Sequence, residues 1–107
     1  GYSFAERNQR LEEAEQLVVK ALQLSPDDPF IIDSMGWVLY RKGDNQGALT
    51  HLQRAFSIRP DPEISAHLGE VLWALGRRDE AKRIWQEAAK AHPGNEVLAE
   101  VIKRFAP

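Results

Sequence analysis

AEQLVVKALQLSP (residues 14–26), ALTHLQRAFSIRP (residues 48–60) and AKRIWQEAAKAHP (residues 81–93) are copies of one pattern, opening on alanine, placing a second alanine seven residues on and closing on proline. Ala14, Ala48 and Ala81 stand 34 and then 33 residues apart; Ala21, Ala55 and Ala88 keep the same two steps, as do Pro26, Pro60 and Pro93. Gly36 and Gly69 are 33 apart, and so are Gly43 and Gly76. A fixed period of this size, held at five positions, marks a repeat architecture whose units bury their apolar faces on one another.

Within each unit the apolar spacing is helical. Leu49, Leu52, Ala55 and Phe56 fall on one helix face, as do Ala81, Ile84, Trp85 and Ala88, and no segment alternates with the period of a strand. Asp28-Pro29 and Asp61-Pro62 read as an N-cap followed by proline at the first helical position, where its missing N–H costs nothing. Gly43 and Gly76 supply a short turn into the next helix, and Pro60 and Pro93 sit just past its end. The spacing predicts helices near 10–24, 29–42, 45–58, 62–75, 78–91 and 95–105, with part of another at 1–7. Alanine at 14, 48 and 81 lets two helices approach closely, and Gly36 and Gly69 serve the same contact.

Composition bounds the function. A chain of 107 residues, 43% hydrophobic and 28% charged, has the size and balance of one folded domain. The formal net charge is −2, which argues against nucleic acid as a partner. There is no cysteine, so thiolate catalysis, disulfides and Cys-based zinc sites are excluded, and the compartment stays open between cytosol and periplasm. No apolar run approaches the roughly 20 residues that cross a bilayer.

The periodic positions resemble the tetratricopeptide repeat pattern W-x2-L-G-x2-Y…A-x3-F…P. The middle unit carries Met35-Gly36, Leu39, Ala48, Leu52, Ala55 and Pro60; the last full unit carries Leu68-Gly69, Leu72, Ala81, Trp85, Ala88 and Pro93. In the first unit Gly1 and Phe4 align on the glycine and aromatic with one extra residue in the turn, followed by Ala14, Ala21 and Pro26. The resemblance implies an all-α fold, a right-handed superhelical stack of antiparallel helix-turn-helix hairpins, or α-α solenoid. Its divisions are a partial repeat (1–28), two repeats (29–61 and 62–94) and a C-terminal capping helix (95–107), a piece of a longer array. Asn95 can cap that last helix, in which Lys103 stands where the motif has glycine. Residues 32–37 and 67–73 are also similar to the C-terminal repeats of bacterial envelope lipoproteins of this class, which implies an adaptor that gathers other proteins in the periplasm or at the outer membrane.

In stacked hairpins of this family the first helices line a concave groove. Carried onto this sequence, the groove positions are Phe30, Asp33, Trp37, Tyr40 and Arg41 in one hairpin and Glu63, Ala66, Glu70, Trp73 and Ala74 in the next, with Tyr2 extending the stripe. Aromatic rings among carboxylates suit a partner protein or peptide with apolar and basic residues. Either Trp37 or Trp73 can instead pack between hairpins, as large apolar residues usually do. Chaperone-tail-binding relatives place Lys and Asn at these steps to clamp a terminal carboxylate; Asp33, Trp37, Ala66 and Glu70 stand there instead, so an acidic tail is disfavoured.

Catalytic readings find little support. His51, His67 and His92 lie in separate elements, and His67-x-x-Glu70 is a slight metal hint against the commoner solvated or ion-paired histidine. None of Ser3, Ser25, Ser34, Ser57 and Ser65 sits in a nucleophile elbow, and there is no glycine-rich phosphate loop. Arg77, Arg78, Lys82 and Arg83 have Asp79, Glu80 and Glu87 beside them and read as a solvated convex face. The expectation is a protein-binding module with no enzyme activity, metal or cofactor. The alternative is an architectural segment, with Leu11, Val18 and Leu22 on a partly uncovered face that could pair with a second copy.

Overall fold

The computed structural model describes residues 4–106, with side chains from residue 10 onward. Six helices follow one another: α1 (Phe4–Leu24), α2 (Pro29–Arg41), α3 (Asn45–Ile58), α4 (Pro62–Ala74), α5 (Arg78–Ala91) and α6 (Glu96–Phe105). Among the described residues there is no strand.

The helix starts lie where the sequence places them, for the expected reasons. The Asp28 carboxylate accepts from the backbone N–H groups of Phe30 and Ile31, Asp61 from Glu63, and Asn95 from Leu98. Gly43 and Gly76 turn the chain between paired helices with φ of 96° and 84°, a region glycine enters freely. One expectation fails. A separate short helix at 1–7 before another at 10–24 is not what forms, because α1 runs unbroken from Phe4 to Leu24. Residues 5–24 contain no glycine or proline to break the helix.

α2 pairs with α3 and α4 with α5; α3 packs on α4, and α1 on α2. α2 also touches α4, and α6 touches α4 and α5 just as α4 touches α2 and α3. Helix α6 therefore occupies the place of a third first helix, and α2, α4 and α6 form one continuous layer. The Cα radius of gyration is 14.1 Å, against about 13 Å for a globule of this length, as expected of an open stack.

The main core joins Leu49 and Leu52 of α3, Leu68, Val71 and Leu72 of α4, Ala81 and Trp85 of α5, and Leu98 and Val101 of α6. A second cluster of Ile32, Ala55 and Ile64 is covered by Leu22 and Phe56. Glycine sets the closest approaches. A Cβ on Gly69 would lie 2.0 Å from Trp85 Nε1, and one on Gly36 would lie 2.8 Å from Leu52 Cγ. Trp85 is wholly buried against Gly69, and its indole N–H donates to the Ala66 carbonyl at 3.3 Å. On α1, Leu11, Val18 and Leu22 are half-buried, whereas Leu17 and Leu24 are bare at 68% and 86% exposure.

Candidate functional site

The α2–α4–α6 layer carries a cavity of about 180 Å³ lined by side chains from all three helices: Trp37 from α2; Ala66, His67 and Glu70 from α4; Val97, Glu100, Val101 and Arg104 from α6. Its back wall is built by a chain of contacts. Asp33, only 6% exposed, accepts a hydrogen bond from His67 Nδ1 at 2.8 Å, joining α2 to α4. The His67 ring then stacks on Trp37, with centroids 4.1 Å apart and planes 24° from parallel. Tyr40 lies one turn further along α2, 5.1 Å from Trp37. Burial, then the neighbouring Glu70 carboxylate, pushes the Tyr40 phenol above its ordinary value.

The expected groove residues have separate fates. Trp37 and Glu70 line the cavity, Asp33 braces it from behind, and Tyr40 stands beside it against the core. Phe30 is 41% exposed at the start of α2 with the Arg59 guanidinium 5.5 Å above its ring, and Arg41 is exposed at the far end of the same helix; neither lines the cavity. Trp73 takes the packing role, 5.9 Å from Trp85 and 5.9 Å from Phe105, with Arg78 over its ring at 4.9 Å. Glu63 and Ala74 are exposed and outside the cavity lining. Tyr2 lies outside the described residues.

Sequence spacing alone does not place His67, Val97, Glu100, Val101 and Arg104 at the site. His67 carries a usable signal, since Asp33 and His67 occupy neighbouring steps of successive first helices. Reading α6 as a cap hides the place of its residues in the same layer. His67 takes the paired role, and among the described residues no group of three or more His, Asp or Glu side chains is placed to hold a metal ion.

Two other hollows differ in kind. A wider one of about 590 Å³ runs along α1 between Glu15 and Lys42, which are hydrogen-bonded to each other, and draws almost all its lining from one helix. On the opposite layer, Phe56 of α3 and Ile84 and Ala88 of α5 border a hollow of about 200 Å³. Of the basic cluster at the start of α5, Arg77 is tied to Glu80 at 2.7 Å and Arg78 covers Trp73, while Lys82 and Arg83 are exposed.

Hairpins in this order, with their period and close glycine contacts, define a stack of antiparallel helix-turn-helix repeats. The chain belongs to the tetratricopeptide repeat family, whose model matches residues 39–104. It is 50% identical over 70 residues to the TPR repeat-containing protein PA4667 of Pseudomonas aeruginosa, covering 65% of this chain and 12% of that protein. It is 29% identical over 80 residues to the small glutamine-rich tetratricopeptide repeat-containing protein 2 of Mycosarcoma maydis, covering 74% of this chain and 23% of that one. The chain thus spans a minor part of the length of these relatives. Among solved structures, TTC0263, a thermophilic TPR protein of Thermus thermophilus, superposes with a TM-score of 0.86 at 24% identity over 99% of this chain and 53% of its own. The first TPR of Spaghetti (RPAP3), bound to the HSP90 peptide SRMEEVD, superposes with a TM-score of 0.79 at 16% identity over 94% and 80%. Repeats of this family generally mediate protein–protein interaction.

Proposed function

We propose that the chain is a protein-binding module whose groove along α2, α4 and α6 holds an extended segment of another protein bearing apolar and basic residues. The observation that carries this reading is the cavity between three first helices, which Trp37, Glu70 and Glu100 line together. The aromatic surface supplies buried area and the carboxylates set the charge preference. One structural neighbour is bound to an acidic peptide. Here the cavity presents the Glu70 and Glu100 carboxylates beside Trp37, with Asp33 held behind it by His67, which supports a ligand of the opposite charge. The likeness to a Pseudomonas aeruginosa protein supports the expected bacterial setting, and we place the module in an envelope adaptor on the sequence resemblance.

The test begins by capturing partners from the native extract on the full chain and continues with titration calorimetry of the retained partner. Trp37→Ala should cost about 2 kcal/mol in affinity, as the loss of an aromatic anchor does. Glu70→Lys with Glu100→Lys should slow association with a basic segment and reverse its salt dependence. Lys82→Glu with Lys90→Glu, both exposed on α5, should change neither. If the α5 changes weaken binding and the groove changes do not, the groove reading falls.

A second reading draws on α1. Leu17 and Leu24, bare and two turns apart on one helix, favour an architectural role in which that face is covered by another surface. Light scattering over a range of concentrations reads out self-association: a molar mass that rises with concentration, and does so less after Leu17→Glu with Leu24→Glu, supports it, and a constant monomer removes the version that needs a second copy.

A further inference from the structure

We infer that the cavity between α2, α4 and α6 seats one arginine side chain of the bound segment, an inference that rests on the groove reading above. At about 180 Å³ it lies below the roughly 300 Å³ at which small-molecule clefts begin, so it suits a single side chain.

The chain shows its own use of arginine. Arg59 lies over Phe30 at 5.5 Å, Arg78 over Trp73 at 4.9 Å and Arg104 over Phe105 at 5.0 Å. Trp37 presents the groove's indole, and no cation lies over its ring among the described residues. A guanidinium from outside would complete the same contact.

The surroundings favour that group. Stacking on His67, which is itself bonded to the buried Asp33, holds the Trp37 ring in place before a ligand arrives. Ala66, Val97 and Val101 offer an apolar wall to the methylenes of an arginine stem. Glu70 and Glu100 bring carboxylates from two different helices, while Arg104 brings one opposing cation. Two carboxylates against one guanidinium leave the wall net negative. A planar, weakly hydrated guanidinium can lie flat on an indole while its N–H groups reach separate carboxylates; a compact ammonium satisfies one partner at a time.

The test uses the full chain and fluorescein-labelled nonapeptide pools with randomised Ala, Ser and Leu flanks and a fixed central residue: arginine, lysine, citrulline, leucine or glutamate. Citrulline keeps the shape of arginine without its charge. Polarisation titrations should show the arginine pool binding at least tenfold tighter than the citrulline pool and tighter than the lysine pool. Glu70→Gln with Glu100→Gln should bring the arginine and citrulline pools within about twofold of each other; circular dichroism verifies the fold of each variant. If pools bind and Trp37→Leu weakens them, but arginine and citrulline are equal or the double variant keeps the preference, the arginine seat is overturned and the groove stands. If no pool binds, or binding ignores all three groove positions, the seat and the groove reading fall together.

Discussion

Gly69 and Trp85 show how one missing methyl group organises a repeat. The indole occupies the space a Cβ would need, with its Nε1 2.0 Å from that position, and it cannot withdraw because it is wholly buried. Gly69→Ala should therefore destabilise the chain by about 1–3 kcal/mol through overpacking. Gly36→Ala should cost less, since the nearest atom is a leucine Cγ at 2.8 Å. Urea unfolding of both variants, with unchanged slopes, measures the ranking. Tyr40 gives a second expectation. Burial and the nearby Glu70 raise its phenol above 10.0, so the folded chain keeps that proton to higher pH than the unfolded chain does. Its stabilising contribution is complete below the unfolded value and is lost as pH rises through the folded one. The urea midpoint of the native protein should thus fall more steeply than that of Tyr40→Phe between pH 9 and 11. The glycine contacts are legible in the sequence because a side chain kept small at a fixed period signals close helix packing. The pairing of Asp33 with His67 is only half legible there: their neighbouring steps on successive first helices point to it, but how those helices meet decides it.

At the scale of the element, helix termini are easy to read and helix surroundings are not. Asp28, Asp61 and Asn95 each bond a backbone N–H of the first turn, a local interaction that residue identity encodes. The environment of Trp73 is set by α6, well beyond it along the chain, which brings Phe105 onto its ring with centroids 5.9 Å apart. Counting equivalent steps treats α2 and α4 alike and misses this difference. The continuity of α1 escapes for another reason: the repeat pattern implies a turn where the chain has no glycine or proline to break the helix. Helix α6, ten residues long, is too short to persist alone and depends on Leu98, Val101 and its Asn95 cap. Asn95→Ala should weaken it by about 1 kcal/mol. Hydrogen exchange followed by mass spectrometry should show α6 amides exchanging faster while those of α2 and α3 keep their rates.

Across the whole molecule, each hairpin leans on its neighbours, so removing one layer is felt next door. Deleting residues 95–107 removes Leu98 and Val101, which are 1% and 8% exposed, from the core. The lost burial is worth about 3–6 kcal/mol at 1.5–3 kcal/mol per side chain. Thermal unfolding of the shortened chain should start well below that of the full chain, and the cavity would lose Val97, Glu100, Val101 and Arg104 with the same cut. Stability of the α4–α5 hairpin and the shape of the groove thus share one helix.

The burial of Trp85 also gives the molecule a natural clock. Its indole proton, donated to Ala66 inside the α4–α5 hairpin, is screened from water and can exchange with deuterium only when that hairpin opens. In a proton spectrum recorded after transfer to heavy water, this resonance should outlast the indole signals of the half-buried Trp37 and Trp73. The rate at which it fades times the opening of α4 against α5 without any label added to the chain.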